Sequence, residues 1–212
     1  MTMIFKMNLA KQIMLPTSLK RLRGGYQGEP NLFDKISSDD LIFAFFPCTR
    51  FEARVPLLFR GQATQQKSWS TEKKLEYSIT LQNELTELYV LLCKMVIVAI
   101  RKGLKLVIEN PYTQPHYLTT YWCIQPTFVD KDRTKNGDYY KKPTQYWFIG
   151  CAPKNNLVFE PLEYVKKRII ADVKGACQTS RKTERSMIHP QYADRFIRQY
   201  ILDEEIWRGK ES

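Results

Sequence analysis

The chain has 212 residues, 43% hydrophobic and 26% charged, the balance of a soluble globular protein with a real core. No apolar run approaches about 18 residues, so the sequence predicts no transmembrane helix and no membrane partner. Five cysteines (Cys48, Cys93, Cys123, Cys151, Cys177), with no CxxC pair and only the isolated histidines His116 and His189, argue against a disulfide framework or a zinc site; they fit a reducing cytoplasm. The formal net charge of +11 favours a polyanionic partner, nucleic acid first.

Residues 1–30 read as a basic N-terminal arm. No acidic residue occurs before Glu29, and residues 4–15 have the composition of a short basic amphipathic helix or of a loosely packed arm. Gly24 to Gly28 reads as a turn, because no strand precedes it and Pro30 follows. Residues 31–38 are expected to form a short helical turn. A buried strand follows at 41–46, an unbroken apolar run bounded by polar residues. It ends in Phe46-Pro47-Cys48-Thr49. Residues 49–68 mix charge, proline and glycine and read as an irregular loop of functional length.

A long helix is expected from Ser70 or Thr71 to about Lys102, with Leu75, Ile79, Leu81, Leu85, Leu88, Leu92, Met95, Val96 and Ala99 at helical spacing and Gly103 as the stop. A second apolar strand, 104–108, runs into Glu109-Asn110-Pro111. Strand, helix and strand make a crossover that joins parallel neighbours. It therefore brings Cys48 and Glu109 to one sheet edge, where ligands bind in open α/β sheets.

Beyond it the sequence predicts a short aromatic helix within 111–122, a strand at 124–129 and a basic, Tyr-containing polar loop at 130–142. A strand at 144–150 and a final helix at 190–201 with Pro190 in its first turn complete the pattern. Residues 155–185 are poorly patterned, with basic clusters at Lys166-Lys167-Arg168 and Arg181-Lys182.

A thiolate can add to C6 of a pyrimidine when an acid hydrogen-bonds ring nitrogen 3. The addition makes C5 electron-rich toward a one-carbon electrophile, and elimination then releases the thiol. A strand-end Pro-Cys beside a strand-end Glu-Asn has the groups for it. The structural alternatives are a packed thiol at Cys48 and a solvated acid or helix cap at Glu109.

Residues 40–51, the helical crossover and Leu106-Val-Ile-Glu-Asn-Pro111 together resemble the DNA cytosine-5 methyltransferases, in particular a compact phage-associated branch associated with restriction-modification. Lys141-Lys-Pro-Thr-Gln-Tyr-Trp-Phe148 resembles that branch's Lys-rich strand, and Arg185 to Ala193 the motif opening the last helix. The resemblance implies a Rossmann-like class I methyltransferase sheet with flanking helices over residues 31–212. It implies Cys48 as nucleophile and Glu109 as the acid at the cytosine edge. Pro47, Thr49, Arg50, Asn110, Pro111 and Lys142 would lie against the DNA substrate, and S-adenosylmethionine would be the methyl donor.

The family's N-terminal Asp-Leu-Phe-x-Gly-x-Gly turn, which cradles that donor, has no match before Pro30. The acidic residue expected after the second strand is missing too, and the expected Gly-Asp of the third cofactor motif stands as Asn31-Leu32. The fold is therefore expected to be incomplete at the N-terminus. The alternatives to an active enzyme are a nucleic-acid-binding relative without a cofactor site, or half of a split enzyme whose second chain supplies the cofactor half.

Overall fold

The computed structural model describes residues 2–8, 11–17, 34, 36–52, 55–159, 161–162 and 188–203, with the backbone alone for the first two stretches. The Gly24–Gly28 turn, Asn31-Leu32, Cys177, both basic clusters of 155–185 and residues 185–187 lie outside the described residues. The chain is an α/β protein with a mixed sheet in the order β2-β1-β3-β4-β6-β5, flanked by helices. It divides into two compact units, one of residues 1–128 and 145–151, the other of 129–144 and 152–212.

In the first unit, β3 (Leu41–Phe45) and β4 (Lys105–Pro111) pair in parallel, with Phe45 opposite Glu109. The pleat sends Ile42, Ala44, Leu106 and Ile108 into one core. Phe43 and Phe45 stack on the other face, and Tyr146 meets Phe43 edge-on. Buried on both faces, the two strands read in sequence as continuous apolar runs.

The expected crossover helix is present. With α1 (Val55–Phe59) preceding it, α2 spans Thr71–Arg101 and buries Leu81, Leu85, Leu92, Met95, Val96 and Ala99 among others. The Ser70 side chain caps it by accepting from the Lys73 amide at 3.2 Å. Gly103, in the left-handed conformation at φ +62°, turns the chain into β4. Leu75 and Ile79, at core spacing in sequence, are 62% and 64% exposed. At 31 residues α2 is about 46 Å long, against about 23 Å for a strand of seven residues such as β4.

The N-terminal stretch is not helical. β1 (Thr2–Asn8) and β2 (Lys11–Thr17) form an antiparallel pair, and β1 also pairs antiparallel with β3. Met3, Phe5 and Met7 fall at period two as well as near helical spacing, and pairing with β3 selects the strand. Pro16 is tolerated because β2 is an edge strand. Residues 49–68 are more ordered than their composition suggests. They hold α1 and a 3-10 turn, Thr64–Gln66, where buried Gln66 donates to the Leu58 carbonyl (3.0 Å) and accepts from the Ala63 amide (3.1 Å).

The expected short helix is α3 (Tyr117–Tyr121). β5 (Phe128–Asp130) is shorter and later than the strand expected at 124–129, and β6 (Thr144–Ile149) matches its expectation. β6 runs opposite to β4. Gln145, at its start, donates to the Pro111 carbonyl at 3.0 Å. Gly150, just past its end, sits so close to Leu104 that a Cβ would lie 2.5 Å from that carbonyl oxygen. Only glycine fits there, the more so at φ +67°.

The second unit holds a 3-10 turn at Arg133–Asn136 and the helix α4 (Pro190–Tyr200), capped by His189. Asp130 receives hydrogen bonds from the Asn136 amide (3.0 Å) and the Tyr192 hydroxyl (3.1 Å). Arg133 and Asp138 are fully buried and ion-paired, with the Arg133 guanidinium 4.3 Å from the Tyr192 ring centroid. The stretch 130–142 is therefore not a solvated loop. Tyr140 is 3% exposed, while Tyr139 packs on the His189 ring at 4.1 Å.

Candidate functional site

The site is built where β3 and β4 end. The ladder continues one residue past β3, with the Phe46 amide donating to the Glu109 carbonyl at 3.4 Å. Pro47, half-buried, has no N–H with which to extend it. The chain then folds into a turn closed by the Phe51 amide on the Cys48 carbonyl (2.8 Å). Phe51 is fully buried and stacks with Phe46 and Tyr117, at centroid distances of 6.2 and 6.0 Å, and its carbonyl accepts from the Tyr117 amide at 2.9 Å. Cys48 is thus held half-buried on a turn anchored by an aromatic cluster.

Glu109 lies inside β4 and is only 6% exposed. The next residue braces both strand ends. Asn110 is fully buried; its amide donates to the Phe46 carbonyl at 2.9 Å, and its carbonyl oxygen lies 3.1 Å from His116 Nε2. Because that oxygen can only accept, Nε2 carries the proton. His116 Nδ1 is buried with no hydrogen-bond partner. Burial holds the ring's pKa down at about 4, so His116 is neutral at physiological pH.

The Cys48 thiol donates to Glu52 Oε1 at 2.9 Å. Burial first, then the Glu52 hydrogen bond and charge, then the charge of Glu109, push its pKa up to about 12. Cys48 is therefore a protonated thiol at rest, unlike cysteines kept as thiolates by positive neighbours. Two acids and one thiol meet at one sheet edge. Such a cluster can donate to a ring nitrogen and accept a thiol proton, and it repels anions at the thiol itself.

The remaining predicted residues divide. Pro47, Asn110 and Pro111 form the frame of the two strand ends. Thr49 is exposed, and its carbonyl accepts from Arg50 at 3.3 Å. The Arg50 guanidinium is ion-paired with Glu84 of α2. Lys142 belongs to the second unit, where its carbonyl accepts from the Thr144 hydroxyl at 2.9 Å. Sequence reasoning missed Glu52 and His116. Glu52, four residues after Cys48, carried a spacing signal. His116 carried none, because its bond to Asn110 arises from the path of the chain between β4 and α3.

Among the described residues, no group of three or more His, Cys, Asp or Glu is placed to hold a metal ion, and no helix is long and apolar enough to cross a membrane. Among the described residues, none forms a glycine-turn cradle that would fit S-adenosylmethionine. In the first unit, Gly103 and Gly150 lie at the start of β4, the edge opposite Cys48, and a Cβ on Gly61 would meet Lys74 at 2.9 Å. Comparison of the chain with protein-family models, curated proteins and solved structures finds no match.

Proposed function

We propose that the Cys48 edge is the base-handling site of a DNA cytosine-5 methyltransferase-like protein with a Rossmann-like sheet. The supporting observation is the parallel pairing of β3 and β4, which sets a half-buried thiol and a buried carboxyl at one edge, near enough for the Glu109 charge to act on Cys48. As the base binds, Glu109 takes up a proton from solvent; Sγ then bonds to C6 of the cytosine while Glu109, as the acid, donates that proton to N3 and draws the C5=C6 electron pair into the ring. C5 then takes a proton from solvent. Loss of the original C5 hydrogen to solvent as a proton, return of the N3 proton to Glu109 and expulsion of the thiol restore the base, with C5 hydrogen exchanged. A stacked base cannot present C6 to a thiol, so the cytosine must leave the helix. The chain's net charge of +11 suits the phosphate backbone.

In the methyltransferase reading S-adenosylmethionine supplies the methyl group, but no step is assigned to it, since the described residues form no cradle for it. A second reading, a binding relative or one half of a split enzyme, is favoured by one observation. β1 flanks β3 antiparallel with Met7 opposite Leu41, so the connection from β1 to β2 lies at the edge away from Cys48. The flank of β3 therefore carries a hairpin rather than a parallel strand ending at the site.

The test is exchange of cytosine C5 hydrogen in DNA incubated with the protein in heavy water, read by mass spectrometry. Wild type exchanges, and Cys48→Ala loses the activity. Equal exchange in the two would reject the role of Cys48. Calorimetry then separates the readings: heat on titrating S-adenosylmethionine into the chain alone favours the complete enzyme, and its absence the binding or split form.

A further inference from the structure

Addition of a thiol to a base leaves one proton unassigned: the thiol's own. Glu109 cannot take it, because it must donate to N3. His116 is tied to Asn110 through Nε2, and nothing places its Nδ1 at the thiol. Arg50, on the same turn, is held by Glu84. The group in contact with the thiol is Glu52, with Oε1 2.9 Å from Sγ. It sits one residue past Phe51, whose burial fixes the turn that carries both.

We propose that Glu52 is the proton acceptor of Cys48, and that the Cys48–Glu52 hydrogen bond, with the negative charge of Glu109, keeps the thiol latent until a base engages Glu109. This rests on the proposed function. The S–H bond breaks as the S–C6 bond forms, the proton passes to the Glu52 carboxylate, and the adduct sulfur is an uncharged thioether. Elimination returns the proton to sulfur. No oxidant or co-reactant is needed.

Among the described residues, the charged groups facing the thiol are Glu52 from its own turn and Glu109 from β4, and both oppose a thiolate. When a base binds, Glu109 takes up a proton from solvent and shares it with N3, and its charge then no longer opposes the thiolate. The transfer to Glu52 thus becomes favourable only with a base in place. A free thiol poised this way is protected from alkylation and oxidation in the unliganded protein.

The experiment measures alkylation of Cys48 by iodoacetamide in the intact chain, peptide by peptide, with exposed Cys123 as the internal reference. In wild type at neutral pH, Cys48 reacts more slowly than Cys123. In Glu52→Gln, Cys48 labelling rises roughly tenfold, as for a fall of about one pKa unit, while C5 hydrogen exchange on DNA falls at least about a hundredfold. Glu52→Asp, run alongside with a thermal melt of each variant, keeps a carboxylate and restores part of the exchange. The opposite signs of the two readouts separate a proton acceptor from a structural residue, whose loss lowers exchange without a selective gain at Cys48. Unchanged Cys48 labelling in folded Glu52→Gln, or unchanged exchange, overturns the role of Glu52 while leaving the base-handling reading intact. No exchange in wild type overturns that reading, and the acceptor role with it.

Discussion

Two clusters of charged groups, one in each unit, are arranged to opposite ends. In the second unit Arg133 and Asp138 are fully buried, but each neutralises the other, and Tyr192 covers the guanidinium. At the Cys48 edge half-buried Glu52 and buried Glu109 act together on a thiol, beside a neutral histidine bonded to Asn110. Like charges gathered in a buried place cost stability, and their presence calls for a function in a way that a matched pair does not.

The largest effect expected is in the matched pair. Arg133→Met leaves Asp138 buried and unpaired, and chemical denaturation should show a loss of about 3–5 kcal/mol, most of it recovered in Arg133→Met/Asp138→Leu. If the single variant is as stable as wild type, the pair is not the closed structural element described here. The Cys48 cluster should respond in chemistry instead. Glu109→Gln cannot deliver a proton to N3, so exchange should fall about a hundredfold or more, with stability unchanged or raised.

His116 sharpens the comparison through pH. Folding holds its pKa at about 4, below its ordinary 6.5. Between those values the unfolded chain binds the extra proton and the folded chain does not. Stability is therefore complete above about pH 6.5 and falls by roughly 3 kcal/mol as pH drops to about 4. Melts of wild type against His116→Gln should show this component disappear from the variant. The smallest effect is at Arg50→Ala. Its pair with half-exposed Glu84 should contribute less than about 1 kcal/mol, while Cys48 labelling shows whether the turn moves.

Much of the fold is legible in sequence. β3, β4, α2 and α4 follow from apolar runs, from a helical repeat ended by Gly103, and from Pro190 at a helix start. The hairpin of β1 and β2 is not, because a short stretch with apolar residues at both spacings takes the conformation that its neighbour pairs with. Leu75 and Ile79 stand exposed because, at about 100° per residue, they lie about 100° or more round the helix from the middle of the stripe of Leu81, Leu85 and Leu92; a run of apolar letters does not show which of them share a face. Arg133, Asp138 and Tyr140 look in sequence like a polar loop, since a charge that finds a buried partner is written with the same letters as one in water.

The sequence by itself determined that a strand, a long helix and a second strand would bring Cys48 and Glu109 to one sheet edge, because crossover handedness and hydrophobic periodicity are local rules. Only the tertiary structure decided what those two residues meet there. The turn pinned by Phe51 carries Glu52 to the thiol, the path of the chain after β4 brings His116 to Asn110, and α2 takes Arg50 out of play through Glu84. Burial and hydrogen bonding between groups apart in the chain set the ionisation of each, and neither is written in local spacing.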